Sequence, residues 1–401
     1  MLLIVPFGAM SGYLSVAVAY LLAARGIGVE AVAALVASSV LPHTWKFAWA
    51  PIVDTTLSRK TWYLIGSLLS ALGILATGLV PAAAANLPLL STIVLVSSFG
   101  STFLGMATES LMAFGTREEH KGRAAGWFQA GNLGGGGIGG GAGLWLAERL
   151  PAAWMSGAIV ALLCLGCALA LLWLKEERAG EVRAGALASV RFVLKDLLLL
   201  VRRRSGSMAL LLCFLPIGAG AASGLWSAVA GDWRASADTV ALVTGVAGGL
   251  VSAVGCLLGG WLCDRMDRKT AYAIYGVLQA GCAVAMAVAP RSEAMYVLFT
   301  SLYSFITGLT YAGFSAVVLE AMGLGAAATK YSVFASLSNT PIWYMTLVDG
   351  WAQARWGSGG MLETEALCCV LGLALFLGVR WLVPQEPAVS AAVPADPSSN
   401  P

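Results

Sequence analysis

The chain has 401 residues, of which 58% are hydrophobic and only 11% charged, with a mean hydropathy of +0.80. A water-soluble domain carries roughly a quarter charged residues. A chain this poor in charge cannot cover a water-facing surface, so its natural solvent is lipid. The formal net charge of +3 is too small to argue for nucleic acid, and no such partner is expected.

The first apolar run begins almost at Met1 with no basic region ahead of it, so it reads as a membrane helix rather than a cleaved signal. With about 20 apolar residues needed per crossing, spans are expected over 3–24, 30–53, 61–80, 87–113, 123–147, 152–174, 208–230, 238–263, 270–289, 293–320, 328–354 and 362–383. The 175–207 stretch is basic and amphipathic, and the Pro-, Ala- and Ser-rich tail 384–401 is expected to be disordered and cytoplasmic. The expected architecture is an all-α integral membrane protein of twelve helices: a six-helix half over 1–174, a cytoplasmic linker over 175–207, and a second half over 208–383. The eight cysteines all fall in or beside apolar runs and read as small hydrophobes, Cys164 and Cys167 included.

Basic residues fix the orientation. With the N-terminus inside, 18 of the 24 Lys and Arg residues fall in inner loops or at inner helix ends, five fall in outer loops, and Lys46 is left within a span. That bias places both termini in the cytoplasm.

The two halves repeat at an offset near 210. Pro6-Phe7-Gly8-Ala9 matches Pro216-Ile217-Gly218-Ala219, Asp54 matches Asp264, Arg59-Lys60-Thr61 matches Arg268-Lys269-Thr270, and Glu109 matches Glu320. Two parallel six-span repeats put a solute site near the midplane between them. The segment Gly260-Trp261-Leu262-Cys263-Asp264-Arg265-Met266-Asp267-Arg268-Lys269 resembles the loop motif of major facilitator transporters, and the copy running from Ala50 to Lys60 is a degenerate version. An Asp at a helix C-terminus faces the negative end of the dipole and needs a nearby cation. The basic pair supplies it and can also reach a neighbouring helix end. Asp54, Arg59, Lys60, Glu109, Asp264, Arg265, Arg268, Lys269 and Glu320 are therefore the candidate cytoplasmic gate. Glu109 and Glu320 lie near inner helix ends, where Arg59, Lys60, Arg268 or Lys269 are the expected partners.

Within the superfamily, Lys46-Phe47-Ala48-Trp49-Ala50-Pro51 and the Lys330-Tyr331-Ser332 run resemble the AmpG-like muropeptide permeases and the peptide–acetyl-coenzyme A transporter branch. The resemblance implies a bacterial inner-membrane carrier for a muropeptide, peptide, siderophore or acyl conjugate. It also implies coupling to protons, no cofactor and a monomer in lipid.

Lys46 is read as the deepest full charge, about 12 Å beyond Asp54 along a helix. A central Lys costs at least about 2.5 kcal/mol unless paired or wet. With His43 on the same face it is a candidate for solute binding or coupling; a structural pair with a neighbouring carboxylate is the other reading. Gln129 and Asn132 share a face in the fifth span. Tyr303, Thr307 and Thr310 form a polar stripe in the tenth span, and Ser332, Ser336 and Asn339 another in the eleventh. These stripes face either a cavity or a partner helix. Gly131, Gly135, Gly139 and Gly143 make a smooth face in the fifth span, and the Gly-x-Gly-x-x-Gly match at Gly134 lies in lipid with no strand before it. A membrane-embedded transferase and a non-transporting sensor are the alternatives. The first is disfavoured by the lack of a metal-ligand cluster or a nucleophile–base spacing, the second by the lack of an appended soluble domain.

Overall fold

The computed structural model describes residues 1–115, 121–174, 195, 204–322 and 333–382. Most of the linker (175–194 and 196–203), the tail, Arg117 and Lys330 lie outside this set, as does Ser332, and the side chains of Asp54 and Glu320 are also outside it.

Helix dominates because in hydrocarbon every backbone N–H and C=O must be satisfied within the segment. Among the described residues there are twelve helical passes. α1 covers Leu2–Ala24. α2 is Val29–Trp45 continued by Ala50–Thr55. α3 is Arg59–Leu79 and α4 Leu87–Gly115. α5 starts as Lys121–Gly137 and ends as Gly143–Arg149, and α6 is Ala153–Trp173. α7 begins at Arg204–Leu212 and ends at Ala230–Trp233, and α8 is Ala237–Cys263. α9 is Arg268–Val288 and α10 Glu293–Met322. Asn339–Leu382 folds back at Gly357 (φ 68°, ψ −174°) into α11 before the turn and α12 after it.

The repeat is visible in these bounds. α3 and α9 each have 21 residues and start at matched Arg residues behind an N-cap. Ser58 Oγ accepts from Thr61 N at 3.1 Å, and Asp267 Oδ2 from Thr270 N at 2.9 Å. Arg59 and Arg268 mark one end of the bundle, called here the basic face. The opposite, charge-poor face carries the turns at Gly26, Arg234 and Gly357.

Two expected spans are broken. Pro51 cannot continue a helix from Phe47, because its ring collides with that carbonyl. α2 therefore tightens to a 3₁₀ turn over Lys46–Ala48 and restarts with Pro51 in its first turn. α7 is interrupted between Leu212 and Ala221, where Pro216 lacks an N–H and Gly218 and Gly220 take positive φ (61° and 68°). A side chain at Gly218 would meet Thr310 at 2.6 Å. The breaks take α2 and α7, and the glycine content takes α5, out of the helices that are long and apolar enough to cross a membrane; with α11 and α12 running as one stretch, eight such segments are left among the described residues.

Leu64, Leu68 and Leu72 of α3, and Leu367, Leu371 and Leu375 of α12, stand half-exposed at every fourth position. Such continuous apolar ridges belong against acyl chains, not water. All eight cysteines are free thiols.

The glycine face of α5 lies on α1: Cβ atoms at Gly131, Gly135 and Gly139 would strike the carbonyls of Met1, Val5 and Ala9. A second glycine face, Gly137 and Gly141, meets Val246, Gly245 and Ala241 of α8 in the other half. Small residues let backbones touch and gain dispersion where lipid offers no hydrophobic drive. Gly139→Ala should therefore lower the thermal stability of purified protein by about 1–3 kcal/mol or prevent assembly. Gly166→Ala on α6, which meets nothing within 4 Å, should raise it by about 0.5–1 kcal/mol. Equal melting shifts for the two would refute the packing argument.

Candidate functional site

Among its described residues, the N-terminal half holds an intramembrane ion pair. The α2 break turns Lys46 toward α4, where Nζ meets Glu109 Oε1 at 3.1 Å. The Lys46 side chain is 11% exposed and that of Glu109 37%. Glu109 thus meets Lys46 and not the basic pair expected from sequence. His43, one turn earlier, lies 3.3 Å from Ser101 Oγ and packs edge-on against Phe7 of α1. Trp49 Nε1 donates to Thr102 Oγ1 at 3.0 Å.

At the basic face, Lys60 Nζ donates to Leu171 O (3.0 Å) and Leu174 O (2.6 Å), satisfying the carbonyl end of α6. Arg265 stacks over the Trp261 ring at 3.8 Å and donates to Trp261 O, while Asp264 is exposed. Arg59, Arg268 and Lys269 also make polar contacts there. Gln129 is exposed, and Asn132 is half-buried where α5 crosses Gly8 of α1. Ser336 is fully buried, and Asn339 Nδ2 donates to Ala335 O of its own helix at 2.8 Å. Asn339 is thereby spent on local backbone.

The C-terminal half holds what the sequence reading passed over. Asp349 on α11 and Glu365 on α12 are 0% and 6% exposed, against 8% for Lys46, and each lies eight residues from Gly357. Eight residues of helix are about 12 Å, so both lie near the middle of a bilayer core about 30 Å thick. Lys46, itself eight residues from Asp54, is therefore one of three deep charges among the described residues and the most exposed of them. Tyr303 donates a short hydrogen bond to Glu365 Oε1, which also takes Ala222 N–H at 3.4 Å from beyond the α7 break. Gln279 Nε2 donates to Thr307 Oγ1 at 3.0 Å. Tyr303 and Thr307, picked from their stripe, do gather here; Asp349, Glu365 and Gln279 join them. Their only sequence signal was a carboxylate or amide inside an apolar run.

Two cavities follow the α7 break. One, with an empty volume of about 190 Å³, is lined by Gly218, Gln279 and Glu365 among others. The other, about 400 Å³, is lined by residues including Tyr272, Thr310 and Pro341. Neither is lined by Lys46.

The halves themselves are sealed at the charge-poor face. Arg149 on α5 makes two hydrogen bonds to Asp238 on α8, at 2.9 and 3.1 Å. A Cβ at Gly350 of α11 would collide with Ala33 of α2. At the basic side, Phe47 packs on a cluster that includes Cys213, Val318 and Phe334.

Residues 1–342 match the Major Facilitator Superfamily. The chain belongs to that superfamily. Its fold is shared with a D-xylose–proton symporter (15% identity, 94% of this chain and 96% of that one, TM-score 0.69). It is shared too with the E. coli xylose transporter XylE in a partially occluded inward-open form (15%, 96% and 97%, 0.69) and with the nucleoside transporter NupG (14%, 94% and 97%, 0.70). No curated protein is significantly similar to it in sequence. As a major facilitator the chain is a multi-pass membrane transporter rather than an enzyme, and groups of metal-ligating side chains are absent among the described residues.

Because Lys46 is the more buried partner of its pair, the two truncations of this facilitator should differ. Glu109→Ala strands a buried ammonium and should cost about 1–3 kcal/mol. Lys46→Met leaves a partly wet carboxylate and should cost less. Thermal melts of both variants check this, and the reverse order would mean that the pair is solvated from the Lys46 side.

Proposed function

We propose that this chain is a proton-driven secondary transporter that imports a small or medium polar or anionic solute by alternating access between halves 1–174 and 208–383. The cargo class is that of the AmpG-like branch: a muropeptide, peptide, siderophore or acyl conjugate. The protein works as a monomer in a bacterial inner membrane with both termini cytoplasmic, and residues 175–207 tether the halves on that side while 384–401 trail from it.

The observation that carries this reading is the unequal sealing of the two faces. On the charge-poor side, closure uses an Arg149–Asp238 bridge and backbone-close contacts at Gly141, Gly245 and Gly350. On the basic side it uses the Phe47 side chain, beside Lys46 and Glu109. Among the described residues the closure is firm on one side and light on the other, which fits an occluded carrier about to open to the cytoplasm. An anionic solute entering beside Phe47 would compete with Glu109 for Lys46, which ties arrival of cargo to loosening of that gate. His43 and the α5 amides Gln129 and Asn132 supply neutral hydrogen-bonding groups on the same side. Asp54, Asp264, Arg265 and Glu320, with Arg59, Lys60, Arg268 and Lys269, serve the cytoplasmic gate in this scheme, and the buried Ser336 just before α11 is kept as a solute-side candidate.

Proteoliposomes with an acid-outside gradient, offered labelled members of the four cargo classes, test the reading. Accumulation of one class that collapses with the gradient is expected, and uptake indifferent to the gradient would remove proton coupling. A second test needs no cargo. Gly350→Val should wedge α11 from α2 and make an Ala33→Cys thiol react with a membrane-impermeant maleimide from outside. Continued protection of that thiol would show that the glycine contact is not the seal.

A further inference from the structure

We infer that Asp349 and Glu365, on the two arms of the α11–α12 hairpin, form a shared proton-binding site served by the break in α7. Interrupting α7 frees backbone groups that lipid cannot satisfy, and hydroxyls from three neighbouring helices take them up. Tyr344 donates to Phe214 O (2.8 Å) and Tyr272 to Ile217 O (2.7 Å), and Thr310 shares its proton between Thr307 O of its own helix (2.8 Å) and Gly218 O (3.3 Å). Those polar side chains are fully employed as backbone caps.

The two carboxylates are not. Both oxygens of Asp349, Oε2 of Glu365 and Oε1 of Gln279 are buried without a hydrogen-bond partner, and Gln279 and Glu365 line the same cavity. Among the described residues no Lys or Arg pairs with either acid. A lone buried carboxylate costs far more than a hydrogen bond returns, and two at one depth of the same hairpin, eight residues either side of Gly357, raise each other's cost. A proton is the smallest cation that removes the penalty, and it fits a cavity this narrow.

Among the described residues, the titratable neighbours of the pair are Tyr303 on α10, Cys282 on α9, and Cys368 and Cys369 on α12; toward the charge-poor end, Glu30 on α2 lies beside Gly350 and Asp232 on α7 beside Ser358, and both are acids too. Arg291 is engaged over the Trp233 ring at 4.0 Å. Asp349 also precedes Gly350, whose backbone lies against Ala33 and Glu30 of α2. Separation of the halves at the charge-poor face therefore uncovers α11 beside the acid that would load or lose the proton.

This proposal rests on the carrier reading above, but its test needs no solute. Infrared difference spectra of the full-length protein in liposomes, between acidic and alkaline buffer, should show a titrating carboxylic C=O band. The band should be lost in Asp349→Asn and in Glu365→Gln. Tyr303→Phe, which keeps both acids, should shift the band without removing it. A wild-type spectrum with no titrating carboxylic band, or one that none of the three substitutions alters, would overturn the assignment while leaving the carrier standing. A melting temperature raised by sodium over choline at constant pH, and not so raised in these variants, would make the site a metal-cation site and overturn it too. Gradient-independent uptake, in contrast, would refute proton coupling whatever the spectra show.

Discussion

Lipid cannot hydrogen-bond to a backbone, and the design of this protein follows from how it handles that constraint where a helix is broken. α2 is interrupted for the length of one tight turn, so 3₁₀ geometry absorbs most of the cost. α7 is open over several residues, and repair has to come from outside the helix. The ring of hydroxyls on α9, α10 and α11 exists to meet that need, which is why so much polarity in the C-terminal half converges on one stretch of chain. Once Tyr272, Thr310 and Tyr344 are assigned to capping, the polar groups left over are few, and they are the ones with chemistry to offer.

Much of the fold was legible in the sequence because it rests on signals that add up over many residues. Span count follows from long apolar runs, and the repeat follows from charges at helix ends. α3 and α9, which start at Arg59 and Arg268 and run for equal lengths, were readable to within two residues. The breaks were harder to read. Pro6-Phe7-Gly8 and Pro216-Ile217-Gly218 are matched landmarks, yet α1 stays helical and α7 does not. Gly8 is held in helix by contact with Asn132 O of α5, whereas Gly218 and Gly220 turn to positive φ against Thr310 and Thr307. Tertiary contact decided between two outcomes the local sequence allowed. The α2 break had a local signal in Pro51, but a long apolar run on both sides masked it.

The candidate site was less legible for a related reason. Lys46 stood out because basic residues set topology and one failed to fit a loop. Asp349 and Glu365 drew no such notice, since a single carboxylate barely lowers the hydropathy of a long window and acids carry little topological signal. Their importance depends on a spatial fact, the hairpin at Gly357 that brings residues eight positions either side of it together at one depth. Glu109 likewise had several cations within sequence-level reach, and the turn at Lys46 settled which one it met.

The halves thus keep one helical plan and divide the electrostatic work. In the first, an acid and a base compensate each other near the basic face, so the pair costs little at rest and responds to an incoming charge. In the second, two acids lie deep with no base among the described residues, so the resting state calls for a bound cation. In the proposed scheme the compensated pair would sense an anionic cargo and the uncompensated one would hold the coupling ion. Placing them at different depths, one beside Phe47 and the other beside the Gly350 contact, puts each next to the seal it would have to release. Alternating access then needs no long-range signal between them, because the rigid glycine-packed helices that join the two seals move as bodies.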